Sequence, residues 1–244
     1  MNAFQWLNLA RHGESTGNVA FGATRGTDAE ETGIPERDAD IPLSETGRRQ
    51  AEALGRRLAA LPEDERPTAV LSSPFLRALD TARIALAQTP YAASGGLEPR
   101  VDERLRDRDQ GAFEGLTHVG IRRRFPDEAA RLARVGKFYY RPPGGESWTD
   151  LALRLRAFYR DLAAEEPGGR VLVVAHDAII VMSRYLVEEL SEREVLAIEK
   201  EPVANASLSR WRGDGRAMRA VTYNDRSHLD EAPATTVPDA SASS

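Results

Sequence analysis

Arg11 and His12 close an apolar run, Trp6-Leu7-Asn8-Leu9-Ala10, and open a polar turn, Gly13-Glu14-Ser15-Thr16-Gly17-Asn18. A guanidinium fork matches the oxygens of a phosphate group, and a neutral imidazole is a nucleophile able to take a phosphoryl group. The pair therefore suggests phosphoryl transfer through a phosphohistidine. A second imidazole, His176, ends the run Val171-Leu172-Val173-Val174-Ala175, and Asp177-Ala178 opens a candidate helix behind it. A helix N-terminus there would direct N–H groups and a partial positive charge toward a bound anion. Arg77 follows Ser72-Ser73-Pro74; a helix with Pro74 at its first position would carry Arg77 in its first turn or so.

These residues need a scaffold that gathers strand ends. Three segments, Leu7–His12, Thr68–Ser73 and Val171–His176, share one logic: a short apolar run, a polar residue, then helix-forming sequence. Continuous apolar runs fit strands buried on both faces of a parallel sheet, whose ligands collect beyond the carboxyl ends. A fourth strand is expected near Pro99–Asp102, and Ser207–Trp211 with Ala217–Thr222 form a candidate edge hairpin around Gly213-Asp214-Gly215. Between them lie helical stripes: Ala51, Leu54, Leu58 and Leu61 after the candidate N-cap Ser44, and Leu151, Leu155, Phe158 and Leu162 after Ser147 with Asp150 three residues on. The expected fold class is α/β, a three-layer α/β/α sandwich with a mostly parallel central sheet.

Two stretches break the alternation. Residues 23–42 form a polar loop near the nucleophile, and residues 108–146 form an excursion with one or two short helices. Residues 1–230 are expected to make one domain, with an Ala/Pro/Ser/Thr-rich tail, Glu231 to Ser244, disordered. The absence of cysteine excludes disulfides and thiolate metal sites, and a net charge of −5 argues against non-specific nucleic-acid binding. Neither a membrane span nor a signal peptide is visible, so the expected location is cytoplasmic. No metal-ligand spacing involves His118 or His228, and oligomeric state is not legible.

Arg11-His12-Gly13-Glu14 with Asn18 resembles the signature of the histidine phosphatase superfamily, the phosphoglycerate mutase-like family. Further segments match in the family's order: Pro42-Leu43-Ser44-Glu45-Thr46-Gly47, Ser72-Ser73-Pro74 with Arg77, Pro143-Gly144-Gly145-Glu146-Ser147, and Val173-Val174-Ala175-His176. The resemblance implies the phosphoglycerate mutase-like fold, in which 108–146 is a helical cap over the pocket. It implies His12 as nucleophile, Arg11 and Arg77 as phosphate clamps, and His176 as a second contact to the transferring group. In the stretch Arg104 to Gly115, the register of Leu105 and Gly111 puts Asp107 at the family's acid position, where most relatives carry glutamate; Glu103 and then Glu114 are the competing choices. Asn18 follows the family pattern at the pocket mouth, where Ser15 and Thr24 are further candidates for substrate contact. Glu146 is expected near the substrate or orienting the arginines. Asp177 stands where relatives often have glycine, and its carboxylate is expected to cap the helix rather than face the anion.

The expected activity is hydrolysis of a small-molecule phosphomonoester through phosphohistidine, with Asp107 as general acid and then base, and with no cofactor or metal. A phosphoglycerate mutase-type phosphotransferase is the first rival, and a catalytically idle regulatory module of the same fold is the second. Arg122-Arg123-Arg124 is either a solvated helix face or a site for an anionic substrate tail.

Overall fold

The computed structural model describes residues 4–90, 97–229 and 235. Its centre is a six-stranded sheet in the order β3-β2-β4-β1-β5-β6. The strands are β1 (Trp6–Arg11), β2 (Ala69–Ser72), β3 (Arg100–Val101), β4 (Arg170–Ala175), β5 (Leu208–Gly213) and β6 (Met218–Asp225). Strands β1 to β4 run parallel, β4 lying between β1 and β2, while β5 and β6 form the antiparallel edge hairpin. Most of the tail expected to be disordered lies outside the described residues.

Strand periodicity explains why the central runs are apolar throughout. Leu7, Leu9, Val171 and Val173 point to one face, beneath α6 (Trp148–Glu165) and α7 (Asp177–Val187). Their neighbours Ala10, Leu172 and Val174 point to the other, beneath α2 (Glu45–Ala59) and α3 (Leu76–Ala87). Successive side chains on a strand alternate faces, so a strand covered on both sides has no polar phase. The result is the expected three layers. No helix among the described residues is long and apolar enough to cross a membrane.

Helix starts follow their caps. Ser44 Oγ accepts from the Gly47 N–H at 3.0 Å, and Ser147 and Asp150 close a reciprocal capping box at α6. At α3 the expected start shifts: Phe75 is the N-cap and the helix begins at Leu76, so Pro74 precedes it. Arg77 still stands in the first turn. His176 is the N-cap of α7, with Asp177 as its first helical residue.

The cap holds α4 (His118–Arg124) and α5 (Pro126–Val135), with a small core of Phe113, Leu116 and Tyr140 against Ile121, Phe125 and Leu132. The loop after α1 (Thr16–Ala23) is stitched to it. Thr32 N–H donates to Gly115 O at 2.9 Å, Thr117 N–H to Glu30 O at 3.0 Å, and Thr117 Oγ to Ala29 O at 2.6 Å. Arg123 and Arg124 pair with Asp28, Glu30 and Glu31, so this arginine run faces the loop. These exposed ion pairs contribute little each, and the backbone bonds set the register.

One close approach joins α2 to the turn after β1. A Cβ on Gly47 would lie 1.9 Å from Glu14 O, and one on Gly13 would lie 2.4 Å from Gly47 O. Gly47→Ala improves helix propensity by about 1 kcal/mol. Backbone cannot rotate out of a 1.9 Å contact, so overpacking prevails, with an expected net loss of about 1–3 kcal/mol in urea denaturation. A variant as stable as the parent would contradict this account of the turn.

Candidate active site

The parallel strands deliver Arg11-His12, Ser72-Ser73 and Ala175-His176 to one edge of the sheet. His12 continues the ladder, donating its N–H to Ala175 O at 2.9 Å, and Ser73 N–H donates to Val174 O at 3.0 Å. The His12 carbonyl accepts from Ala206 N–H at 3.1 Å and from Asn205 Nδ2 at 3.2 Å. Its ring Nδ1 lies 2.7 Å from Gly13 O. A carbonyl oxygen only accepts, so Nδ1 carries the hydrogen and the neutral ring keeps its lone pair on Nε2. The turn supplying that carbonyl is itself fixed: Gly13 N–H donates to Thr81 Oγ at 3.0 Å, Glu14 N–H to Gln50 Oε1 at 2.8 Å, and Ser44 Oγ to Glu14 Oε1 at 2.6 Å.

Around His12 the expected partners converge. The rings of His12 and His176 have centroids 5.2 Å apart, and His176 Nε2 lies 2.8 Å from Ser73 Oγ. His176 Nδ1 lies 3.4 Å from Asp107 Oδ2, which also accepts from Arg77 Nη2 at 3.2 Å. Asp107 Oδ1 accepts from Arg108 N–H at 2.8 Å. Arg11, fully buried and paired with Ala175 in the ladder, donates Nη1 to Val203 O at 2.6 Å. The competing carboxylates stand elsewhere. Glu103 is exposed on a 3-10 turn, and Glu114 is exposed at the cavity wall, accepting from Asp38 N–H at 3.3 Å.

Other candidates divide. Ser15 and Asn18 line the cavity and form the capping box of α1, and Asn18 Oδ1 also accepts from Asn205 Nδ2 at 3.1 Å. Thr24 caps the far end of that helix; its hydroxyl donates to Phe21 O at 2.8 Å, and it does not line the cavity. Glu146 also stands outside the lining, behind the loop carrying Asp107, where it accepts from Arg106 Nη2 at 2.7 Å and Arg154 Nε at 2.9 Å. Asp177 Oδ1 accepts from Ala178 N–H at 2.6 Å, a local contact at the start of α7.

A cavity of about 500 Å³ meets this cluster at Arg77 and Asp107, which stand in its wall; Arg11, His12 and His176 lie behind them, fully buried and outside the lining. Phe21, Ile34 and Phe75 make apolar wall, while Arg106, Arg108 and Gln110 make polar wall. Burial pulls the Arg108 guanidinium below its ordinary value, with Asp107 and Glu146 opposing that shift. The Asp38–Asp40 turn of the loop lies over the site, and Asp38 accepts from Arg77 Nη1 through both its backbone oxygen (2.6 Å) and Oδ1 (2.9 Å). Among the described residues, no group of three or more His, Asp or Glu is arranged to hold a metal ion.

Sequence reasoning missed Thr81, Asn205, Asp38 and Arg154. Asn205 sits in an apolar context without a spacing signal. Arg154 gave a faint one, an arginine embedded between Leu151 and Leu155 in a core-facing stripe.

The sequence pattern of the histidine phosphatase superfamily (branch 1) matches residues 7–226. A 2,3-bisphosphoglycerate-dependent phosphoglycerate mutase 2 from Gloeobacter violaceus is 33% identical over 203 residues, 81% of this chain and 84% of that protein. A glucosyl-3-phosphoglycerate phosphatase from Mycobacterium tuberculosis is 36% identical over 186 residues, 71% of each. The structure of a mycobacterial glucosyl-3-phosphoglycerate phosphatase complexed with VO3 superposes with a TM-score of 0.68 at 31% identity, covering 90% of this chain and 99% of that one. The chain belongs to the histidine phosphatase superfamily.

Glu146 ties the loop carrying Asp107 to pH. Burial opposes its charge, but Arg154, the Asp109 N–H and Arg106 outweigh burial and hold the carboxyl below its ordinary 4.5. A folded-state value below the unfolded one means stability that is complete above about 4.5 and fades as pH falls through the lowered value. Denaturant titrations should show Glu146→Gln less stable than the parent at neutral pH, with the gap closing on acidification past 4.5. A gap that persists in acid would disprove this ionic role.

Proposed function

We propose that this member of the superfamily hydrolyses small-molecule phosphomonoesters through a phosphohistidine on His12. The observation that carries the reading is the Nδ1 contact with Gly13 O at 2.7 Å, which keeps the hydrogen on Nδ1 and leaves the lone pair of a neutral ring on Nε2. Nε2 attacks phosphorus in line, the N–P bond forms, and the bond to the leaving oxygen breaks. Asp107, protonated, gives its proton to that oxygen. A neighbouring phosphate dianion favours the protonated carboxyl. The transition state spreads charge over three equatorial oxygens, and in this reading Arg77, Arg11 and His176 stabilise that charge. For Arg77 this requires Asp38 to yield Nη1. Water then attacks the phosphohistidine, Asp107 takes its proton, and the N–P bond breaks to release inorganic phosphate.

The cavity of about 500 Å³ exceeds what a phosphate group fills and falls within the range of small-molecule sites. Its mixed walls fit a leaving group that carries both carbon surface and hydroxyl or anionic groups. A mutase remains a second reading because of the 33% identical relative. A mutase must keep water from its phosphohistidine, and a cavity roomy enough to admit water beside the substrate favours hydrolysis instead.

With 3-phosphoglycerate and a bisphosphate primer, release of inorganic phosphate is the expected product; accumulation of the 2-isomer would establish the mutase. His12→Ala should lose turnover almost entirely, and Arg77→Ala should lose on the order of 10²–10³ in kcat. Substantial turnover by His12→Ala would refute the nucleophile.

A further inference from the structure

Asp107 reaches the site from a loop without regular structure, between the 3-10 turns Glu103–Leu105 and Gly111–Phe113. An aspartate has one methylene less than a glutamate and cannot swing to offset a displaced backbone. Its placement is therefore decided by what holds the loop. One ion pair does most of this. Arg154, in the second turn of α6 and only 10% exposed at its side chain, meets Glu146 through Nε and Nη2, each at 2.9 Å. The same guanidinium donates Nη2 to Asp107 O at 3.0 Å and Nη1 to Arg104 O. Glu146 in turn accepts from Arg106 Nη2 at 2.7 Å and from Asp109 N–H at 3.1 Å, and its backbone oxygen accepts from Arg108 Nε at 2.8 Å. Residues 104, 106, 107, 108 and 109 are thus all tied to Glu146 or Arg154.

We propose that Arg154, braced by Glu146, is the positioning residue for the general acid: it sets the reach of the Asp107 carboxyl to the leaving oxygen without touching substrate. The inference rests on the assignment of Asp107 as the acid. A planar fork suits this task because it spans two carbonyls and a carboxylate at fixed angles, which an ammonium cannot do. Displacement of a catalytic group by about 1 Å costs roughly a hundredfold in rate. The loss should fall only on substrates that need the proton.

That selectivity is the test. Nitrophenolate departs without protonation, whereas the alkoxide of glycerol phosphate does not, and kcat/KM reports the step that forms phosphohistidine. Arg154→Met should lower kcat/KM for glycerol phosphate by about a hundredfold and for p-nitrophenyl phosphate by less than about fivefold. Arg154→Lys should recover only part of the difference, and Glu146→Gln should show the same selectivity in weaker form. If Arg154→Met does not fold, those two variants carry the test. Asp107→Asn, measured alongside, separates the two assignments. A selective loss there with an equal loss on both substrates in the Arg154 and Glu146 variants, or no loss on either, overturns the positioning role alone. An unselective Asp107→Asn overturns the acid itself, and the positioning role with it.

Discussion

The site depends on a single carbonyl group. Gly13 O, against His12 Nδ1, decides which ring nitrogen holds a hydrogen and which holds a lone pair. A carbonyl can do this only while its peptide keeps one orientation, and much of the surrounding structure serves that end. Thr81 from α3, Gln50 from α2 and the N-cap Ser44 each bond the Gly13-Glu14 segment. Gly47 admits the turn at a distance no side chain would allow. Two helices and a strand end therefore meet at one peptide, and the packing of α2 against α3 bears directly on the chemistry of an imidazole.

Burying this much charge is costly unless each group finds partners. Arg77, Asp107 and His176 are all nearly inaccessible to water, and they partner one another. Arg77 divides its fork between Asp107 and Asp38, and Asp107 divides its oxygens between Arg77, His176 and a backbone N–H. Replacing one member removes a partner from each of the others in a poorly solvated place. For that reason single substitutions here will disturb their neighbours as well as the chemistry they remove.

Much of this was legible from sequence because it sits at strand ends. His12, His176 and Arg77 each follow an apolar run closely, so topology alone sends them to one edge. Asp107 was pointed to only through the family resemblance, by the register of Leu105 and Gly111, because the loop has no periodic pattern of its own. Where the reading failed, a competing local bond prevailed. Thr24 spends its hydroxyl on a helix carbonyl three residues back, and Pro74 sits ahead of the helix that Phe75 caps. Glu146 was placed near the arginines, but those it orients are Arg106 and Arg154, across a separation of 40 residues in one case. Contacts of that span, like Asn205 on His12 O, leave no trace in spacing.

The Asp38 contact has a consequence for how tightly any anion is held. A donor already engaged at 2.6 and 2.9 Å must be surrendered before it can serve a newcomer. Capture is then an exchange between rival acceptors, so its free energy is a difference and not a sum. In the proposed reaction the tethered rival would remain within reach of Arg77 at a local concentration no solute matches, and would favour release of phosphate by the same contact that opposes its capture.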